Sequence, residues 1–272
     1  MLYRFILLLL PLFAFSQTHR FVYEMKHKPD STKSYLKHDE VVLDITGDEV
    51  NFYEHQALRT DSINAIGRGR SWHGAPLSKL RRKPGSSDNI NYDIINADYY
   101  AYKTTDPLPW QILPETKTVG PCTAQKAAAD FHGRRWTAWF AKDIPFNEGP
   151  YKFNGLPGLI VELYDDGGNF NFKLQRIEKP AKVNTEIVET VFGNKPLEIS
   201  EEKFRQMKLA YYNDPYASYR AMKPGTWAIM LDDEREIDTV EGLNSATRVT
   251  QAELRKNNNP IELDKAIRYP EK

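Results

Sequence analysis

A chain of 272 residues with 40% hydrophobic and 12% aromatic side chains is long enough to bury a substantial core, as one large domain or two small ones. Its 37 basic and 37 acidic residues balance, which argues against generic nucleic-acid binding, a function that needs a basic excess. With a single cysteine, Cys122, no disulfide can form within the chain, so stability has to come from the core.

Arg4 and the amino terminus supply a short positive region, and Phe5 to Phe13 form an apolar run interrupted only by Pro11. Ala14-Phe15-Ser16 then brings the small residues that signal peptidase needs, ahead of polar Gln17-Thr18. The apolar run is about half of the ~20 residues a spanning helix requires. The expectation is a signal peptide over residues 1–16, cleaved between Ser16 and Gln17, and an exported chain that is periplasmic or associated with the outer membrane. No cysteine follows the cut, so no lipid anchor is expected, and no later apolar stretch is long enough to cross a bilayer.

The remaining 17–272 reads as one β-rich domain. In Arg20 to Lys28, Phe21, Tyr23 and Met25 share one face. Val41 to Ile45 and Val50 to Tyr53 follow, separated by the turn residues Asp30-Ser31 and Thr46-Gly47-Asp48, so an antiparallel meander is predicted. Ala57 to Ile66 has a short helical pattern closed by Gly67. Ser62 to Ser87 contains no acid, carries Arg68, Arg70, Lys79, Arg81, Arg82 and Lys83, and is rich in Gly and Pro. It reads as a solvated basic loop with Trp72 as its large apolar anchor, or else as a patch facing an anion or a lipid headgroup.

Strand patterns resume at Ile90–Ile95, Tyr99–Lys103 and Trp110–Leu113, then from Thr118 to Phe140 with a break near Gly133. In Arg135–Phe140 aromatic residues fall on both faces, as in a strand covered on both sides. Leu159–Tyr164 and Phe170–Gln175 flank Asp165-Asp166-Gly167-Gly168, a hairpin turn, with Phe170, Phe172 and Leu174 pointing inward. Val183–Val191 is predicted as one more strand. Ser200-Glu201-Glu202 opens a helix that Phe204, Met207, Leu209 and Tyr211 continue to Asp214-Pro215, and a last helix is predicted over Thr250–Lys256. The expected fold is mainly β with a few helices: a single antiparallel, curved sheet.

The densest local signal is Gly149-Pro150-Tyr151-Lys152-Phe153-Asn154-Gly155-Leu156-Pro157-Gly158-Leu159-Ile160. Three glycines and two prolines fix a tight path, and Phe153, Leu156 and Leu159 fold it onto the core. The stretch reads either as an elbow feeding the next strand or as a clamp for a ligand or partner. It lacks the Gly-Lys-Ser/Thr of a phosphate-binding loop.

Gly155-Leu156-Pro157-Gly158-Leu159-Ile160 is the eponymous string of the GLPGLI family, exported proteins of Gram-negative envelopes, and the chain resembles that family along nearly its whole mature length. Further matching stretches are Phe21-Val22-Tyr23, Pro29-Asp30-Ser31, Gln125-Lys126-Ala127, Phe131-His132-Gly133-Arg134, Ala138-Trp139-Phe140, Ile144-Pro145, Gly149-Pro150-Tyr151-Lys152-Phe153 and Asn258-Asn259-Pro260-Ile261-Glu262-Leu263. The family pattern places a cysteine just before Gln-Lys-Ala, where this chain has Ala124; Cys122 lies two residues upstream, on the same face of a strand. The resemblance implies an exported protein with no assigned chemistry, an accessory near outer-membrane uptake systems, and an open half-barrel like the lipoprotein carriers.

No catalytic constellation emerges. There is no Gly-x-Ser-x-Gly, and Cys122 has only His132 nearby in sequence. His19, His27, His38, His55, His73 and His132 are scattered without metal-ligand spacing, so neither a metal nor a cofactor is predicted. Asp165-Asp166 and Asp232-Asp233 read as solvated turn residues. The candidate binding residues are His132, Arg134, Trp139, Lys152, Phe153, Gly155, Leu156, Pro157 and Gly158: donors for an anionic group beside apolar walls. The plain structural alternative is that Arg134 pairs with Asp143 or Glu148 and pins the loop. The expected function is a non-enzymatic envelope protein binding a hydrophobic or anionic ligand or an outer-membrane protein partner. The alternatives are a hydrolase or other enzyme whose site assembles only in the fold, and a structural subunit of an outer-membrane complex.

Overall fold

A computed structural model describes residues 18–65, 77–96, 98–191, 194–231 and 235–270. Six consecutive strands form an antiparallel meander, of which the first three are the predicted ones: β1 (His19–His27), β2 (Lys37–Thr46), β3 (Glu49–Glu54), β4 (Lys79–Arg82), β5 (Asp88–Ile95) and β6 (Asp98–Thr105). Five more continue on the other side of β1: β7 (Gln111–Val119), β8 (Cys122–Phe131), β9 (Arg134–Ala141), β10 (Leu159–Asp165) and β11 (Phe170–Glu178). With the short β12 (Leu197–Glu198) they make one unclosed sheet in the order β12-β6-β5-β4-β3-β2-β1-β11-β10-β9-β8-β7. Every pairing is antiparallel except that of β12 with β6.

Alternation sets the faces. Phe21, Tyr23 and Met25 of β1 enter the main core with Leu43, Phe52, Trp136, Phe140, Leu163 and Phe172, whereas Val22 enters a second core on the opposite face with Val42, Tyr53, Tyr92 and Tyr99. The segment between β9 and β10 lies across the inner face. Its Phe153 packs 4.5 Å from Trp136 of β9, ring centroid to centroid, while the adjacent Lys152 reaches Thr104 of β6. Those strands are far apart in the sheet order, so one loop can bridge them only because the sheet is curved. The half-barrel is therefore filled by its own loop, with Tyr151, Phe153 and Leu156 all buried in the core.

α1 (Gln56–Ala65) and α2 (Glu201–Asn213) fall where the pattern places them, and Ser200 caps α2 by accepting from the backbone N–H of Lys203. Three expectations need correction. The part of the basic stretch that the structure describes is no solvated loop: β4 sits between β3 and β5, with Leu80 and Arg82 buried. Gly and Pro clustering around it concealed a four-residue strand. Residues 66–76, including Trp72, lie outside the described residues. Val183–Val191 is a series of turns, not a strand, because Ile187 and Val188 are adjacent and both cover the second core. The last helix, α4 (Val240–Lys256), begins ten residues earlier than predicted. Thr239 caps it, and Gly242 together with the polar Asn244-Ser245 weakens the helical signal in its first turns. Between the long helices, α3 (Ala217–Arg220), β13 (Ile229–Met230) and β14 (Glu236–Ile237) build a small satellite core with α4. Cys122 is half-buried and packs against the main core near Ala124, which is fully buried. Among the described residues no helix is long and apolar enough to cross a membrane.

Candidate functional site

The hairpin between β8 and β9 turns through two residues, His132 (φ 48°) and Gly133 (φ 76°), both left-handed, as a tight two-residue turn requires. A left-handed backbone at histidine is uncommon. Here the side chain is anchored at both ends. Nε2 lies 2.9 Å from Asp106 Oδ1, and Nδ1 lies 3.0 Å from Asp264 Oδ2. Burial opposes the charged ring, but Asp106, Glu262 and Asp264 outweigh it and raise the His132 pKa.

Lys152 points inward from the Gly-Pro-rich loop and is 1% exposed. Its ammonium donates to Glu262 at 2.5 Å, Asp106 Oδ2 at 2.9 Å and Thr104 Oγ1 at 3.2 Å. Lys265 adds a second cation, 3.0 Å from Glu262 and 2.8 Å from Glu201. Burial disfavours both carboxylates. Even so, His132 and Lys152 hold the Asp106 carboxyl far below the usual range, and Lys152 and Lys265 hold Glu262 low.

Around this cluster the C-terminal segment is strapped down. The Leu263 and Asp264 N–H groups donate to the His132 carbonyl, and the Tyr151 hydroxyl donates to Glu262 at 2.9 Å. Arg134 donates to Asn259 Oδ1 at 2.6 Å, to the carbonyls of Pro260 and Ile261, and to Asp165 at 3.1 Å. Asn259 in turn donates to the Lys28 carbonyl. The motif-like stretches around Pro29, His132, Lys152 and Asn259, remote in sequence, thus meet in one interlock.

Asp106, His132 and Glu262 each offer a ligand atom within 4.8 Å of the others, a spacing that suits a metal ion. Two lysine ammonium groups already engage these carboxylates, so the donor set is matched to the chain's own cations.

The nine predicted site residues divide. His132 and Lys152 belong to the ionic cluster. Arg134 pins the strap through Asp165 instead of Asp143 or Glu148; Glu148 is taken by buried Arg82 at 2.6 Å. Asp165 is not a solvated turn acid. It is 3% exposed and accepts from the N–H groups of Asn169 and Phe170 as well as from Arg134. Asp232-Asp233 lie outside the described residues. Trp139 is buried in the main core, with the Lys117 ammonium over its ring at 4.3 Å. Phe153 and Leu156 are core, Gly155 (φ 90°) and Pro157 are exposed, and Gly158 is a contact glycine. A Cβ on Gly158 would stand 2.3 Å from the Ala141 carbonyl oxygen, at φ 147°.

Sequence reading missed Asp106, Glu262 and Lys265, which carry no spacing signal because the fold alone brings them together. It also missed a pocket of about 180 Å³ beside the interlock, whose lining includes Asp93, Tyr102, Tyr151, Phe204, Arg205 and Lys208. One face of α2 supplies Glu201, Phe204, Arg205 and Lys208, at the i, i+3, i+4, i+7 spacing of a helix stripe. Phe204 stacks on Tyr102 at 4.7 Å. Asp93 accepts from Ser78 Oγ at 2.6 Å and Tyr102 Oη at 2.9 Å, and burial pushes its carboxyl up despite Lys208 and these two donors.

A family model described as a protein of unknown function (Porph_ging) matches residues 130–162, which run from the end of β8 through the loop into β10. None of the curated proteins compared matches the chain. Among solved structures, PNGF-II in the P21 space group is similar at TM-score 0.52 and 11% identity, covering 71% of this chain and 33% of that one. PNGF-II in the C2 space group is similar at TM-score 0.51, also 11% identical, covering 71% and 32%. The chain spans about a third of the length of these structures, and at this identity the likeness is one of fold.

Proposed function

We propose that the protein is an exported, non-enzymatic envelope protein of the GLPGLI type that holds a small ligand in the pocket between α2 and the C-terminal strap. The carrying observation is the division of polar groups. His132, Arg134 and Lys152 are spent on Asp106, Asp165, Glu262 and the strap, whereas the adjoining pocket keeps lining cations that have no ion-pair partner among the described residues. The motif-rich region is then the rigid floor of the site and not its mouth. The signal-like residues 1–16 support export.

Native mass spectrometry of the purified protein tests this reading. A non-covalent adduct is expected on the unaltered chain and should disappear in Ile267→Trp. That variant fills the pocket from a half-buried lining position without removing a side-chain hydrogen bond. An adduct that persists in Ile267→Trp with the melting temperature unchanged would place binding elsewhere, and turnover of the released compound would favour an enzyme.

A further inference from the structure

We infer that the α2 pocket takes a monoanion, a carboxylate carried on an apolar body of about one ring, with Arg205 as its anchor. The inference rests on the binding reading above and names the ligand class for that same pocket.

Three acids line the pocket, Asp93, Glu201 and Glu262, and three bases, Arg205, Lys208 and Lys265. Lys265 is committed to Glu201 and Glu262, and Glu262 also holds Lys152. Lys208 is the charge that most opposes the upward shift of Asp93. Arg205 is left over: it is half-buried on the pocket wall, with no hydrogen-bond or ion-pair partner among the described residues. A planar guanidinium presents a fork of donors suited to a two-oxygen anion. A dianion such as phosphate is disfavoured by three acids lining the same space, one of them already resisting ionisation.

Shape and polarity supply the rest of the ligand. Leu77, Phe204, Ile261 and Ile267 line the wall, and the stacked Tyr102–Phe204 pair offers an aromatic surface. The volume of about 180 Å³ compares with the ~150 Å³ apolar cavity that accepts a benzene molecule. An anionic head at Arg205 and a ring-sized body against Phe204 fill the pocket's two chemistries together.

The test uses phenylacetate and its neutral isostere 2-phenylethanol, titrated calorimetrically into the adduct-free protein. Phenylacetate should bind at least tenfold tighter, as a charge-assisted hydrogen bond implies. Arg205→Gln should erase that preference, with circular dichroism and melting unchanged, and Lys208→Gln should weaken it less. Equal affinity for the two compounds, an intact preference in Arg205→Gln, or binding of neither would overturn the inference. Loss of the native adduct in Ile267→Trp alongside any of these would leave the pocket reading standing and only the ligand class wrong. Retention of the adduct in Ile267→Trp would remove the pocket reading itself.

Discussion

The interlock and the pocket share a wall that includes Glu262, yet Asp106 and Asp93, one acid from each side of it, shift in opposite directions. Asp106 and Glu262 stay ionised below the usual carboxylate range because two ammonium groups and an imidazole lie within hydrogen-bonding reach. On the same inner face, Asp93 is raised, and Glu54 at the end of β3 is pushed up to about 7, burial being the main cause in both. The contrast separates charge used for holding a fold from charge left unbalanced. Buried ions that are fully paired make a region rigid, and removing one partner exposes the full desolvation penalty of the other. A pocket whose charges are incompletely paired can improve its balance by accepting a ligand.

The sharpest way to break this comparison is Lys152→Met. If the interlock is structural, removing the ammonium leaves Asp106 and Glu262 short of their partner in a buried site, and stability should fall by about 3–5 kcal/mol in denaturant unfolding. A loss below about 1 kcal/mol would mean that the cluster is poised for something other than holding the chain together. Gly158→Ala should cost roughly 2–3 kcal/mol by the same measurement, because the methyl meets the Ala141 carbonyl at a left-handed φ. Ligand binding by whatever protein remains folded should be unaffected, since Gly158 does not line the pocket.

Much of the frame was legible in the sequence. Period-two alternation in β1 and β11 marks which residues enter the core, and Asp-Asp-Gly-Gly marks the hairpin joining β10 to β11. The glycines and prolines of 149–158 announce a tight loop, and the apolar residues between them announce that it is buried. The position of that loop inside the curve was not legible. It depends on Lys152 finding Asp106 and Glu262, at separations of 46 and 110 residues that no local pattern encodes. The pocket was hidden for a different reason: Arg205 and Lys208 look like solvated residues of an amphipathic helix until β5 and β6 are set beneath them. Motif density marked the place where the chain is most constrained. The place with chemistry to spare lies next to it.

The pH dependence of stability sharpens the contrast further. For an acid with a raised folded-state pKa, the folded chain binds more protons than the unfolded one, so stability declines as pH rises between the two values. Glu54 should therefore lower stability between about pH 4.5 and about 7. Glu54→Gln should recover about 1–2 kcal/mol at pH 8 and little at pH 4, read from denaturant midpoints. His132 has its folded pKa raised by its carboxylate neighbours, so its contribution is full below ~6.5 and is lost as pH climbs through the folded value. His132→Asn, which tolerates the left-handed turn, should flatten that upper limb and leave the Glu54 limb in place. At the acid end Asp106 and Glu262 contribute above their unfolded values, near ~4, and their contribution is lost on further acidification.

The smallest expected effect is the most discriminating one. Arg205→Gln should change stability by no more than about 0.5 kcal/mol, since the guanidinium has no partner among the described residues to forfeit. Against the large loss expected for Lys152→Met, that near-zero value would show that the cations of the two regions do different work. A stability loss above about 2 kcal/mol would mean that Arg205 is already satisfied by the folded chain. The pocket would then hold no cation free for an anion, and the asymmetry between the two regions would collapse into one continuous ionic core.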